Sequence, residues 1–173
     1  TQVWSNNIVE WKGKDPATVV SPGTIAVTHD YGNTVGWTIK EGRDFSRNFP
    51  ADTFSFILNE AAVKMTGFKN PVGQTIRWLG QEHVIVGVVK DMVMKSPFEP
   101  TVPTVFLMND KERSFNVINF KLAAKTPVAE AVQKIGTVFK KFAPNSAFNY
   151  RFADEEYAKK FAEEERIGKL ATF

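Results

Sequence analysis

Cysteine is absent from this sequence of 173 residues, so disulfide frameworks, thiolate zinc sites and cysteine nucleophiles are excluded. No apolar run reaches the roughly 18 residues that a membrane-spanning helix requires. The longest run, residues 84–89, has the length of a strand. The sequence also lacks an initiating methionine and a signal-peptide pattern at Thr1, so we expect it to be part of a longer polypeptide.

Sequence motifs for cofactors and nucleic acids are missing as well. Neither glycine-rich phosphate-loop pattern occurs, so a nucleotide site of the usual kind is unsupported. Only two histidines occur, His29 and His83, and neither lies in a zinc-binding helix motif. The net charge is +3 and the basic residues are scattered, whereas nucleic-acid binders concentrate them on one face. We therefore predict no cofactor, no metal and no nucleic-acid partner.

The residues that are present predict a folded domain. Hydrophobic residues make up 43% of the sequence, and its aromatics comprise 15 Phe, 4 Trp and 3 Tyr. A chain of this length buries about 70% of the surface that its unfolded form exposes, which is enough for a core without disulfides. Such a composition argues against disorder.

The pattern of apolar residues and turn signals predicts an α+β fold. Strands are expected at residues 3–11, 24–29, 53–58, 74–79, 82–90, 104–108, 115–122 and 147–152. Helices are expected at residues 30–36, 61–66 (with Asn59 as N-cap), 128–142 (after Thr126 as N-cap and Pro127) and from Asp154 to Phe173. We interpret residues 1–50 and 112–173 as one α+β unit that a smaller unit, residues 51–111, interrupts.

Three polar sites were weighed for chemistry. His29 and Asp30 follow a predicted strand, where the histidine could act as a general base, but no nucleophile or oxyanion donor is marked nearby. Arg43, in the segment Glu41–Phe45, either binds an anion or pairs with a carboxylate across a turn that Gly42 allows. His83 alternates with Val84 and is predicted on the exposed face of its strand.

A proline-rich loop is the strongest candidate for an interaction site. Residues 96–103 contain three prolines, which keep the segment extended, and the candidate partner-contacting residues are Pro97, Phe98, Glu99, Pro100 and Val102. The alternative interpretation is that Phe98 packs back onto its own unit and that the prolines only restrict the unfolded chain. Both interpretations stay open at this point.

The remaining apolar residues divide between the interior and the C-terminal end. Core packing is the favoured role of eight phenylalanines, with a lipophilic pocket as the alternative; these are Phe54, Phe56, Phe115, Phe120, Phe139, Phe142, Phe148 and Phe152. The final helix carries acid-first i, i+4 pairs such as Glu155–Lys159, so it should stand partly free. Because its end turns apolar, we expect the polypeptide to continue past Phe173 into a span of about 20 residues.

Several blocks of the sequence resemble the MacB-like periplasmic core domain of FtsX-like ABC transporter permeases. They run in order through residues 41–173 and are jointly specific, although each is weak alone. The blocks are Glu41–Phe45 (an "EGRxF" loop), Phe56–Ala62 followed by Asn70–Gln74, Val86–Asp91 (an "IVGVVxD" strand), and Phe152–Tyr157 followed by Glu164–Leu170, which resembles the helix that leads into the family's second transmembrane span.

The resemblance implies both a fold and a place in the cell. It implies a porter-like βαβ-type unit with a mixed sheet, interrupted by a smaller sabre-like α+β insertion and lacking its own first strand and helix. The domain would lie on the periplasmic side of the bacterial inner membrane. Its partners would be the transmembrane helices of the same permease, a second permease copy in a dimer, a cytoplasmic ATPase and a periplasmic or outer-membrane protein. The family carries no catalytic residues.

The first interpretation is therefore a non-catalytic domain that couples ATP-driven conformational change to export or to partner proteins. A stand-alone periplasmic ligand-binding module that uses the phenylalanine-rich interior is the second. A hydrolase that uses His29 and Asp30 is the third. A nucleophile within hydrogen-bond reach of His29 would favour the third over the first.

Overall fold

The computed structural model describes residues 9–93, 99–108, 116–159 and 161. The chain forms two compact units, residues 1–119 and residues 120–173. The first unit is built on a sheet and the second on a helix. Each unit is described by itself below.

Seven strands of the first unit form one mixed sheet. They are β1 (Val9–Trp11), β2 (Gly23–Val27), β3 (Ile39–Gly42), β4 (Ser55–Asn59), β5 (Thr75–Trp78), β6 (Gln81–Val89) and β7 (Thr104–Met108). Their spatial order is β1-β5-β6-β4-β7-β2, and β3 pairs with β6 beyond the end of β5. The pairs β4–β6 and β2–β7 are parallel, and all the others are antiparallel.

Two short helices belong to this unit, α1 (Tyr31–Val35) and α2 (Glu60–Thr66). A 3-10 turn at Pro50–Phe54 leads into β4. Both helices end at a left-handed glycine, Gly36 and Gly67, as the sequence predicts. Helix α2 begins directly after β4, so the cap residue of the helix is also the last residue of a central strand.

Both faces of the sheet are covered by apolar clusters. Because side chains alternate along a strand, Phe56 and Leu58 point into one cluster and Ile57 points into the other. The first cluster includes Ala62 of α2, and the second includes Tyr31 of α1. Strand β4 is buried at every position because it lies between β6 and β7 with a cluster on each side.

The second unit contains α3 (Val128–Phe142), a helix of 15 residues. The Phe148 ring lies over Gly136 and 5.5 Å from the Phe139 ring. Phe148 begins a row of neighbouring aromatic rings that continues through Tyr150 and Phe152, at alternate positions of an extended segment. Residues 153–159 are helical.

The predicted α+β class with a mixed sheet is confirmed, as are the hairpin of β5 and β6, strands β2 and β7, and helices α1 to α3. Strand β3 was missed, since residues 42–50 were predicted as loop and residues 37–41 were given no element. The first predicted strand begins at residues that the structure does not describe. The apolar end of the last predicted helix also lies outside the described residues. Thr126 was expected to be the N-cap of α3, but Pro127 occupies that position and offers no side-chain cap.

Two predicted strands are wrong for the residues described. Residues 116–122 and 147–152 contain no strand, although their apolar residues alternate. Alternation favours extended backbone, but a strand also needs a hydrogen-bonded neighbour, and the described residues supply none there. In the sheet, β1, β2 and β3 bond to β5, β7 and β6, respectively. The division into a porter-like unit and a sabre-like insertion stays a prediction.

Candidate interaction site at the start of helix α2

Asn59 joins the end of β4, the start of α2 and the start of β7. Its Oδ1 accepts hydrogen bonds from the Ala62 amide at 2.9 Å and from the Thr104 amide at 2.8 Å. Its Nδ2 donates to the Val102 carbonyl oxygen at 3.0 Å. The side chain is fully buried, so these bonds satisfy polar groups that water does not reach. The predicted N-cap role of Asn59 is confirmed.

A second pair of contacts ties the residue after β6 to the same helical turn. Asp91 Oδ1 accepts a hydrogen bond from the Ala61 amide at 3.0 Å, and Glu60 Oε2 accepts one from the Asp91 amide at 3.1 Å. Lys40 lies 3.5 Å from Glu60. The Asp91 amide and the Lys40 ammonium together hold the pKa of Glu60 below its usual value.

The proline-rich segment is therefore held at both ends by the first turn of α2. Asp91 precedes it and contacts Ala61, while Val102 and Thr104 close it through Asn59. Pro103 is also fixed, because its carbonyl oxygen accepts a hydrogen bond from the Gly23 amide at 2.8 Å. We call residues 92–103 the clamped loop.

The candidate residues of the clamped loop differ in position. Glu99 and Pro100 are exposed, as the interaction hypothesis requires, and Val102 is half-buried. The carbonyl of Val102 is bound by Asn59, so this residue is part of the anchor. Pro97 and Phe98 lie outside the described residues.

The Arg43 segment forms a structural ion pair, one of the two alternatives weighed above. Two guanidinium nitrogens of Arg43 donate to the two carboxylate oxygens of Asp52 at 2.8 and 2.7 Å. Asp52 also accepts a hydrogen bond from the Ser46 amide and is 1% exposed. The Phe49 ring lies 3.9 Å from the guanidinium carbon, a cation–π contact. The approach of this segment to β6 needs Gly87, because a Cβ there would overlap the Arg43 carbonyl oxygen.

The charge of Asp52 is stabilised in the folded chain. Burial alone raises the pKa of this carboxyl group, but the hydrogen bonds from Arg43 and the Ser46 amide outweigh burial. The net pKa of Asp52 is below its usual value. Asp52 is therefore ionised in the folded chain at neutral pH.

The His29 and Asp30 pair is not arranged as a catalytic dyad. Both carboxylate oxygens of Asp30 accept hydrogen bonds from Arg47, at 3.2 and 2.9 Å, on the surface. These bonds lower the pKa of Asp30. Asp30 occupies the N-cap position of α1, but its carboxylate pairs with the arginine and makes no capping hydrogen bond to the helix.

His83 was predicted on an exposed face, and that prediction is wrong. The residue is 4% exposed, whereas its neighbour Val84 is 42% exposed. Its ring stacks on Phe56 with centroids 4.2 Å apart and planes 2° apart. Burial lowers the pKa of His83.

The prediction that the phenylalanines form the core holds only for some of them. Phe56 is fully buried, but Phe54, Phe120 and Phe142 are 49%, 57% and 81% exposed. Phe106, buried in the second cluster, was not among the candidates, although it lies in the predicted strand at residues 104–108. Phe115 lies outside the described residues. Sequence alone does not separate these classes, because burial depends on which strand lies beside each ring.

Within residues 9–93, 99–108, 116–159 and 161, histidine, aspartate and glutamate form no cluster that could hold a metal ion. Over the same residues, no helix combines the length and the apolar character needed to cross a bilayer.

Solved structures with the same fold are domains of transporters and permeases. The periplasmic region of MacB from Actinobacillus actinomycetemcomitans is similar at TM-score 0.67 and 18% identity, covering 92% of this chain and 72% of that one. The extracellular domain of YknZ, a noncanonic ABC-type transporter from Gram-positive bacteria, gives TM-score 0.55 and 14% identity over 82% and 73%. A domain of a putative permease from Porphyromonas gingivalis gives 0.54 and 13% over 78% and 64%.

The fold is thus one found in extracytoplasmic domains of ABC-type transporters. A family model described as the MacB-like periplasmic core domain matches residues 2–138. The chain belongs to this family, as its sequence blocks predict. The comparison with curated protein sequences gives no match.

Proposed function

We propose that this chain is the periplasmic domain of an ABC transporter permease that couples ATP-driven conformational change to export or to a partner protein. The domain acts by contact and movement and carries no catalytic centre. Its family supports the periplasmic location, since the family is that of a periplasmic core domain. The pairing of Asp30 with Arg47 supports a non-catalytic role, because both carboxylate oxygens of Asp30 are bound to the arginine.

The observation that carries the coupling proposal is the clamped loop. A partner that displaces Glu99 or Pro100 pulls on two anchors, Asp91 and Asn59, that meet at one helical turn. Asn59 is the last residue of β4, which pairs with both β6 and β7. A force on the loop is therefore delivered to the centre of the sheet through partly buried hydrogen bonds of 3.0 Å.

The proposed partners follow from the family. They are the transmembrane helices of the same permease, a second permease copy, a cytoplasmic ATPase and a periplasmic or outer-membrane protein. The loop is the surface through which we propose that the last of these binds. Its candidate residues are Pro97, Phe98, Glu99 and Pro100, with Val102 as the anchored end.

Site-specific labelling of the assembled transporter tests the coupling. Because this domain has no cysteine, Glu99→Cys and Val19→Cys each give one label in it, in a permease otherwise free of accessible cysteine. Val19 is a suitable control because it is 75% exposed and lies outside the loop. We expect the environment of the Glu99 label to change when a non-hydrolysable ATP analogue is added, and that of the Val19 label to stay constant. Equal responses, or none, would contradict coupling through the loop.

Removal of the loop's aromatic side chain should weaken function more than stability. We expect Phe98→Ala to reduce partner-dependent ATPase activity of the assembled transporter while leaving the thermal midpoint unchanged. His29→Ala is the control, and it should leave that activity intact because His29 has no catalytic role. A midpoint lowered by about 2–4 °C per kcal/mol, as expected for a core truncation in a chain of this size, would show that Phe98 is a core residue. Loss of activity in His29→Ala would contradict the non-catalytic role.

A further inference from the structure

The His83 ring is enclosed by aromatic side chains near one end of the sheet. It stacks on Phe56 of β4 and meets Trp78 of β5 edge-on, with centroids 5.8 Å apart. Its backbone partner across the β5–β6 hairpin is Ile76. Among the described residues, β1 is the one strand beyond β5, so His83 lies near one edge of the sheet.

Both nitrogens of His83 are buried without a hydrogen-bond partner among the described residues, as is Trp78 Nε1. A buried polar group without a partner is costly and uncommon in native proteins. For the neutral imidazole, stacking on Phe56 offsets the cost of burying its nitrogens without partners. Stacking could not offset the cost of burying the imidazolium, because that form carries two N–H donors and a full charge.

Among the residues that the structure describes, no charged side chain is placed to compensate a proton on this ring. Three charged residues of the adjoining strands are cross-strand neighbours of one another: Glu10, Arg77 and Glu82. Because side chains alternate along a strand, all three lie on the face of the sheet opposite to His83. On the His83 side, Lys14 lies over the Trp11 ring, and α2 carries Glu60 and Lys64, of which Glu60 is bound to Lys40 and the Asp91 amide. The pKa of His83 is lowered by burial alone, which agrees with the absence of a compensating charge.

We propose that His83 makes the β1–β5–β6 end of the sheet sensitive to acid, so that uptake of one proton opens this end locally. The direction follows from linkage. A histidine whose folded pKa lies below its unfolded value of about 6.5 stabilises the fold above that pH and loses this contribution as the pH falls toward the folded pKa. The carboxylates Asp52 and Asp30, whose pKa values are lowered, lose theirs only below about pH 4.

The opening should be confined because the sheet is anchored unequally. Among the described residues, β1 contributes three residues and β5 four to this end of the sheet. The second apolar cluster and the bonds of Asn59 hold the rest of the sheet, strands β4, β7 and β2. Neither the cluster nor Asn59 contains a group that titrates near neutral pH. Local openings of such marginal ends are common in native proteins.

Amide hydrogen exchange of the intact chain at about pH 7 and about pH 5, corrected for intrinsic rates, tests this proposal. We expect protection of the Ile76 and Trp78 amides to fall about tenfold at the lower pH, because protonation of the buried ring favours the open form. Protection of Ile57 and Phe106 should change little. His83→Phe should abolish the difference, and His29→Phe should retain it.

Three results would overturn the proposal. The first is a ring titration of His83, followed by NMR, at or above its ordinary value of about 6.5. The second is an equal loss of protection across the sheet, which would show global unfolding. The third is persistence of the local loss in His83→Phe, or in His83→Leu if the phenylalanine variant does not fold.

Discussion

Asn59→Ala should lower the free energy of unfolding by about 3–5 kcal/mol. The substitution removes the N-cap of α2, a loss of about 1 kcal/mol in other proteins, together with the buried hydrogen bonds that Asn59 forms with the Thr104 amide and the Val102 carbonyl oxygen. In a chain of this length the thermal midpoint should fall by roughly 6–20 °C. Urea denaturation and calorimetry of the isolated domain would measure both quantities.

Asn59→Asp is the matched control because it preserves the acceptor and removes the donor. The carboxylate can still accept from the Ala62 and Thr104 amides, while the Val102 carbonyl oxygen loses the bond from Asn59 and keeps the one from the Thr104 hydroxyl. We therefore expect the aspartate variant to be destabilised less than the alanine variant. If Asn59→Ala unfolds at the same temperature as the unchanged chain, Asn59 does not anchor the clamped loop.

Asp52→Asn should be the second most damaging single substitution of a polar residue. The amide keeps the size of the carboxylate but offers only one acceptor oxygen, so the Arg43 guanidinium and the Ser46 amide compete for it. Breaking a buried ion pair costs about 3–5 kcal/mol, and the partial exposure of Arg43 reduces the expectation here to about 2–3 kcal/mol.

Asp30→Asn gives a matched comparison, since Asp30 and Arg47 also form a pair with two hydrogen bonds. Both side chains of that pair are 66% exposed, so the variant should unfold close to the temperature of the unchanged chain. The two variants should also differ in their response to acid. The stability that ionised Asp52 contributes is complete above its ordinary pKa of about 4 and is lost as the pH falls through its lowered pKa. The Asp52→Asn variant should lack this acid-dependent part of the stability. Equal effects of the two substitutions would contradict the assignment of Asp52 as the buried member.

The elements that were predicted correctly are those with local signals. Asn59 followed by Glu60 and closed by Gly67 marks a helix by capping alone, and the structure has it. The pairing of Arg43 with a carboxylate followed from a short turn at Gly42. Its partner could not be chosen, because Asp44 and Asp52 are both near in sequence and only the 3-10 turn brings Asp52 back to the guanidinium.

What could not be predicted depends on contacts between distant residues. The bond from Asn59 to Val102 spans 43 residues, and no local pattern encodes it. His83 was misplaced because Val84 and Val86 looked like the inward set, whereas His83 and Ile85 are buried and Val84 is exposed. Alternation shows that side chains point to opposite faces, but which face is covered depends on the strands and helices that pack there.

The clamped loop also determines which changes of length the domain can accept. Its two anchors meet at one turn of α2, so residues between Asp91 and Val102 can be replaced or extended without moving β6 or β7. The entropic cost of a longer loop grows only logarithmically, about 0.6 kcal/mol for each doubling. Related transporters could therefore vary this tip to suit different partners while they keep one sheet, and a foreign recognition peptide could be grafted at Glu99–Pro100.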